Sequence, residues 1–181
     1  MHNQNSAIPK LPRLASVALR PLPLAPLSLA LTALARNVLR RNPGLFARLG
    51  AYRSKSFFLD LTDLPFGLLL DVAGPRARVT ARRSDAQADV RISGSLAAFL
   101  GMVHGAYDGD ALFFSRDLAV SGDTAAALAL RNAIDDAELD FALEVAALSG
   151  PLRAPLARLV GLAERRSGVA LHRVGASGTW Q

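Results

Sequence analysis

From residue 56 onward, apolar and polar positions alternate along the chain with a period of two. Phe57, Leu59 and Leu61 alternate with Phe58, Asp60 and Thr62, and Phe66, Leu68, Leu70 and Val72 with Gly67, Leu69 and Asp71. Beyond Gly74-Pro75, Ala77, Val79 and Ala81 are set against Arg76, Arg78, Thr80 and Arg82, and then Ala88, Val90 and Ile92 against Asp89, Arg91 and Ser93. Successive side chains of a strand point to opposite faces, so each run predicts a strand with one apolar face and one partly polar, arginine-rich face. The segments between them are short and polar or carry Gly and Pro, which predicts antiparallel pairing throughout. Residues 112–121 supply a fifth strand, with Leu118 and Val120 on one face.

Elsewhere the period is helical. Ahead of the strands, a helix is predicted to start just after Pro26, since proline suits a first turn. Its stripe is Leu27, Leu31, Leu34 and Val38, and Asn42-Pro43 stops it. Asn42 is expected to cap the next short helix and Gly50 to end that one. Ser95 is placed to cap a helix with Leu96, Phe99, Leu100 and Val103 on one face. Gly122-Asp123-Thr124 opens another, where Asp123 or Thr124 accepts free amide protons, and Ala127, Leu130, Ile134 and Ala137 face inward. Later helices carry Phe141, Val145 and Leu148, then Leu152, Leu156, Leu159, Val160 and Ala163. These elements predict an α+β fold: an antiparallel sheet of about five strands with helices on one face, preceded by a basic helical N-terminal arm. The expected organisation is a flexible proline-rich arm over 1–25, one domain over 26–174 and a flexible tail over 175–181.

Length and composition agree with one greasy domain. The chain has 181 residues, 51% of them apolar and 20% charged, and its mean hydropathy is +0.25. That excludes a mostly disordered chain. The absence of cysteine excludes a disulfide scaffold, a cysteine-ligated metal cluster and a thiol nucleophile. No apolar stretch of about 20 residues is free of charge and proline, which argues against a membrane-spanning helix.

Charge separates the chain into two parts. Residues 1–59 hold nine basic side chains and no acid, whereas the remainder carries a net −3. A segment this cationic is drawn to anionic lipid, nucleic acid or an acidic protein surface. Aromatic residues are too few there for a stacking platform, and no zinc finger or recognition-helix unit is present, so nucleic acid is not expected. Apolar residues between the arginines fit a lipid surface, with Arg36, Arg40, Arg41, Arg48 and Arg53 as the membrane or partner contacts. A solvated basic face is the alternative. Residues 10–35 imitate an export signal, but Pro21, Pro23 and Pro26 interrupt the apolar run and Arg36, Arg40 and Arg41 follow the only small-residue cleavage site. Retention in the cytoplasm, peripheral to the inner membrane, is therefore expected.

Catalytic motifs are missing. His2, His104 and His172 have no metal-ligand spacing, and His-Glu-x-x-His, Gly-x-Ser-x-Gly and the phosphate-binding glycine loops do not occur. Asp108-Gly-Asp110 lacks the Glu that a calcium loop needs at its twelfth position, where Ala119 stands. The acidic group Asp135, Asp136, Glu138, Asp140 and Glu144 reads as a solvated face or a dock for basic groups. No catalytic residue, metal ligand or cofactor is assigned, and the chain is not expected to be an enzyme. What stands out instead is apolar helical surface with many small side chains, which leaves room for an apolar cavity of the kind that holds lipid. Its expected lining is Leu96, Phe99, Leu100, Val103, Ala127, Leu130, Ile134, Leu156 and Val160.

The stretch Ala111-Leu112-Phe113-Phe114-Ser115-Arg116-Asp117-Leu118-Ala119-Val120-Ser121-Gly122-Asp123-Thr124, with Arg131-Asn132 after it, resembles the end of the sterol carrier protein type 2 domain. Asp108-x-Asp110-x-Leu112-Phe113-Phe114, the Gly-Asp-Thr turn and Asn132-x-Ile134-Asp135 are similar to the UbiT branch, bacterial accessory factors for ubiquinone biosynthesis without oxygen. The resemblance covers roughly residues 25–140. It implies a non-catalytic lipid carrier whose apolar tunnel holds a hydrophobic ligand: a ubiquinone intermediate, a quinone or a fatty-acyl lipid. It further implies work beside peptidase-U32-like hydroxylation proteins, which carry iron–sulfur clusters, while the anionic membrane surface is expected as a partner from the basic arm alone. The competing expectation is an interaction module with a filled core, docking through its arginine-rich arm and binding no lipid.

Overall fold

The alternating runs form five strands: β1 (Ser56–Leu61), β2 (Gly67–Asp71), β3 (Arg78–Arg82), β4 (Val90–Gly94) and β5 (Leu118–Gly122). The computed structural model describes residues 17, 19–73, 77–83, 86–103, 112 and 115–137, apart from the side chain of Phe46. Within these, the helices are α1 (Leu24–Arg41), the single turn α2 (Leu45–Arg48), α3 (Leu96–Val103) and α4 (Thr124–Asp136), with a 3-10 turn over Gly50–Ser54. The expected helices beyond residue 137 lie outside the described residues.

The sheet order is β3-β2-β1-β4-β5. Three of its four pairings are antiparallel, but β1 and β4 run parallel, with Phe57 beside Val90 and Leu59 beside Ile92. The expected five-stranded sheet is thus present and mostly antiparallel, with the β1–β4 pair as the correction to the expected pairing. β3 ends level with the end of β1, so the chain must return along the sheet before β4 starts. A parallel neighbour requires such a crossover, and one this short looks like a turn in the sequence.

Registry puts Phe57, Leu59 and Leu61 in line with Leu68 and Leu70 on one side and Val90 and Ile92 on the other. This inner face carries α3 and α4. The opposite face presents Asp60, Arg91 and Ser93, where Arg91 donates to Asp60 at 3.2 Å and stacks 4.9 Å from the centroid of the Phe58 ring. Phe58 is buried although it points to this polar face. Gly67 makes that possible, because a Cβ there would lie 2.4 Å from the Phe58 ring.

Local start and stop signals follow the sequence with two amendments. The Ser95 hydroxyl accepts from the Ala98 amide at 3.2 Å and caps α3, and Asp63 adds a second acceptor for the Leu96 amide at 2.9 Å. Asp123 caps α4, accepting from the Ala126 amide at 3.0 Å. Gly50, at φ +52°, follows α2 as expected. Asn42, in contrast, does not cap α2 with its side chain. Its Nδ2 donates to the Val38 carbonyl at 3.1 Å and so closes the end of α1. Helix α1 also begins at Leu24 rather than after Pro26. Proline at the third position costs nothing there, because a first-turn amide has no helical acceptor.

The inner surface of α1 departs further from the apolar stripe. Leu34 and Val38 are buried, but Leu27 and Leu31 are only half-buried, and Thr32 and Asn37 are buried in their place. Thr32 faces the outer edge of β3. Its hydroxyl accepts from the Val79 amide at 3.0 Å and donates to the Val79 carbonyl at 2.9 Å. One turn earlier, the Ser28 hydroxyl accepts from the Ala81 amide at 2.9 Å, and one turn later Arg36 Nε donates to the Ala77 carbonyl at 3.4 Å. Arg83 clasps the carbonyls of Arg20 and Leu22 ahead of α1. Residues 77, 79 and 81 are those whose polar backbone groups point away from β2, and helix α1 satisfies them with side chains at i, i+4 and i+8. The basic N-terminal helix is thus the cover of the sheet edge. Thr32→Val, which keeps the shape and removes both hydrogen bonds, is expected to cost about 1–3 kcal/mol by leaving the Val79 groups unpaired. Urea denaturation checks this, and an unchanged midpoint would contradict the role of Thr32.

Candidate lipid site

Between the inner face and helices α3 and α4 lies one continuous apolar layer. Its buried members include Phe57, Leu61, Val90, Ile92, Phe99, Met102, Leu118, Ala127 and Leu130, and Leu96, Val103, Val120 and Ile134 pack against them half-buried. Of the side chains expected to line an apolar space, the structure therefore gathers Leu96, Phe99, Val103, Ala127, Leu130 and Ile134. Leu100 is half-buried and is not part of the cluster among the described residues, while Leu156 and Val160 lie outside them.

Burial across this layer is uneven. Beneath α3 and α4, Phe57 and Val90 are 0% exposed and Leu118 1%, and small residues such as Ala98, Ala126 and Ala133 bring the helices close to the sheet. Toward β2 the packing opens. Leu59, Leu64, Phe66, Leu68 and Leu70 belong to the same cluster yet keep part of their surface accessible. Burying such surface is favourable at about 25 cal/mol per Å², so a row of half-buried leucines on an inner face is a surface on which an apolar molecule gains free energy. Leu59, Phe66, Leu68 and Leu70 are legible in the sequence as the inward phase of the alternating runs, and Leu64 between β1 and β2 is not.

At the far end of the sheet is a polar cluster that joins three elements. The Asp89 carboxylate accepts from the Ser56 amide and hydroxyl, both at 2.8 Å, and from Lys55 Nζ at 3.3 Å. Lys55 also reaches Asp123, the cap of α4, at 3.7 Å. The Asp123 amide returns to the Asp89 carbonyl at 3.0 Å. The hydrogen bonds from Ser56, followed by that from Lys55, pull the Asp89 carboxyl down to about 2. Lys55 is raised above its ordinary value by its hydrogen bond to Asp89 and the charge behind it. Close approach of β4 to the turn before α4 requires Gly122, which sits at φ +86° and would set a Cβ 2.3 Å from the Asp89 carbonyl oxygen. The cluster positions the start of α4 over the apolar layer. Among the described residues no group of acidic, histidine or cysteine side chains is arranged to hold a metal ion.

The arginines expected at a membrane or partner surface are placed differently from one another. All five are exposed, but Arg36 reaches Ala77, Arg40 donates to Asn37 Oδ1 at 3.0 Å, and Arg48 pairs with Asp136 at 3.3 Å. No helix among the described residues is long and apolar enough to cross a membrane.

A mixed five-stranded sheet roofed on one face by helices, with one continuous apolar layer between them, defines an α+β protein. The chain belongs to the SCP-2 sterol transfer family, whose model matches residues 35–135, from the second half of α1 to the end of α4. Among solved structures, a protein described as UbiJ-SCP2 ubiquinone synthesis protein is similar with a TM-score of 0.55 and 20% identity, over 65% of this chain and 96% of that one. Sterol carrier protein 2 from Yarrowia lipolytica, in its apo form, is similar with a TM-score of 0.45 and 18% identity, over 60% of this chain and 89% of that one. Compared with curated proteins by sequence, the chain matches none.

Acid is expected to weaken the polar cluster around Asp89. A carboxyl whose native value is lowered contributes stability fully above its unfolded value, near 4, and loses it as pH falls through the native value, near 2. Denaturation measured from pH 6 to pH 2 should show this loss, and Asp89→Asn should flatten it. Gly122→Ala, strained at positive φ and blocked by Asp89, should lower the melting temperature at every pH.

Proposed function

We propose that this chain is a non-catalytic carrier that binds a hydrophobic isoprenoid-quinone intermediate in its apolar layer and presents it to enzymes of ubiquinone synthesis. The observation that carries the reading is the row of half-buried leucines on the inner face of β1 and β2, continuous with the fully buried layer under α3 and α4. A flexible polyprenyl chain suits a shallow apolar floor without polar anchors, because it is bound by area rather than by directional contacts. Membership of the SCP-2 sterol transfer family and the likeness to a ubiquinone synthesis protein support the ligand class. The partners that the UbiT-like motif suggests are peptidase-U32-like hydroxylation proteins, and a cysteine-free carrier would leave iron–sulfur chemistry to them.

Native mass spectrometry of the purified protein, followed by organic extraction, is the direct test. A bound mass with a polyprenyl tail is expected, and a protein that is empty and takes up no added quinone would overturn the proposal. Two substitutions separate a fillable surface from packed core. Leu68→Trp adds volume at the half-buried floor and should reduce quinone binding at least tenfold with little change in melting temperature. Ala127→Phe adds volume at a residue 3% exposed, where overpacking should cost about 1–3 kcal/mol. Unaltered binding in Leu68→Trp would place the ligand elsewhere.

A further inference from the structure

The apolar layer has one described member with a hydroxyl group. Tyr52, in the 3-10 turn over Gly50–Ser54, packs half-buried against the buried cluster. Both of its backbone polar groups are bonded within the turn. The amide donates to the Leu49 carbonyl at 2.9 Å, and the carbonyl accepts from the Lys55 amide at 3.0 Å. Leu49, 1% exposed, anchors the turn in the core. The hydroxyls of Ser28, Thr32, Ser93 and Ser95 bond within the fold. That of Tyr52 meets no hydrogen-bond partner among the described residues. A packed ring with an open hydroxyl presents one directional group at the rim of an apolar surface.

The two ends of the leucine floor differ in polarity. The 3-10 turn runs straight into β1, and Ser56 pairs with Asp71 at the end of β2. Tyr52 therefore stands at the end of the sheet where Leu70 is the last half-buried floor residue, beside Lys55 and Ser56. At the other end the turn between β1 and β2 offers Leu64, Pro65 and Phe66, all half-buried. Its acid, Asp63, is committed to the Leu96 amide at the start of α3. Phe66 to Leu70 spans about 13 Å at the rise of a strand.

We infer that Tyr52 is the specificity-determining contact for the oxygenated ring of the ligand. Its hydroxyl donates to a ring carbonyl, and the isoprenoid tail runs from there over Leu70 and Leu68 toward Leu64 and Phe66. This rests on the carrier reading and adds the orientation of the cargo and the ground on which one cargo is chosen over another. An apolar floor binds by area and does not tell one hydrocarbon from another. A hydroxyl at its end does, because a ligand without an acceptor strips water from the tyrosine and returns no hydrogen bond.

The full chain is titrated with two probes that share an isoprenoid tail: a benzoquinone, and the hydrocarbon without the ring. Tyr52→Phe should bind the quinone about fivefold less tightly, the usual worth of one neutral hydrogen bond, and the hydrocarbon as before. Infrared spectra of the bound quinone give a readout that packing alone does not move. The carbonyl stretch should be lowered in the wild-type complex and return to its unbonded frequency in Tyr52→Phe. Leu64→Ser, at the far end, should weaken both probes by the same factor. Melting temperatures like that of the wild type verify that both variants are folded. Unchanged quinone affinity in Tyr52→Phe, equal loss of both probes, or an unshifted carbonyl stretch in the wild type would overturn the inference and leave the carrier reading standing. Leu64→Ser without effect on either probe would overturn the direction of the tail. A wild-type protein that binds neither probe would overturn both readings.

Discussion

An open strand edge is a row of backbone donors and acceptors that must be bonded by something, and in this protein a helix meets that demand. Sheets commonly guard edges with charge, proline or short length. Here three positions of α1 carry side chains that reach residues 79 and 81 of β3 and residue 77 just ahead of it. That placement fixes the rotation of α1, since Ser28, Thr32 and Arg36 must face the edge. The remaining sides of the helix are then determined: one is buried against the domain and one looks outward. The distribution of burial, charge and exposed leucine along α1 follows from this one geometric commitment.

The sheet's two faces divide the physical labour. The outer face is stitched by polar and cation–π contacts around Asp60, Arg91 and Phe58. The inner face is purely apolar and graded from close-packed beneath α3 and α4 to half-buried at β2. A gradient of this kind reconciles two requirements that a uniform core cannot meet. The close-packed half supplies stability and a unique arrangement of helices, while the open half retains surface whose burial by another molecule is favourable.

Much of this was legible in the sequence. The period-two runs located all five strands, with β5 narrowed to Leu118–Gly122, and Ser95, Asp123 and Gly50 marked helix ends where they occur. Those signals are local, arising from side-chain alternation and from capping within three residues. The features that stayed hidden are non-local. Nothing in the stretch between β3 and β4 announces a crossover, and a serine and a threonine in a leucine-rich helix carry no sign that the backbone amides they bond lie about fifty residues away. The half-buried state of Leu68 and Leu70 was equally illegible, because alternation reports which face a residue takes and not what covers it. Of the expected lining, six residues converge in the cluster beneath α3 and α4, and Leu100 is outside it.

The parallel pairing of β1 with β4 also governs how the chain must assemble. Strands β1, β2 and β3 can join through neighbours in sequence, but β4 meets β1 across about 33 residues, as Phe57 and Val90 show. Contacts at that separation form late, since loop closure costs entropy before any contact repays it. Helix α3 begins at Leu96, immediately after β4 ends at Gly94, so no roof can settle on the inner face until the crossover has closed. A nascent chain therefore displays its leucine-lined floor to the cell before it can cover it. The same surface that suits a hydrophobic cargo is, during synthesis, the one most in need of a chaperone.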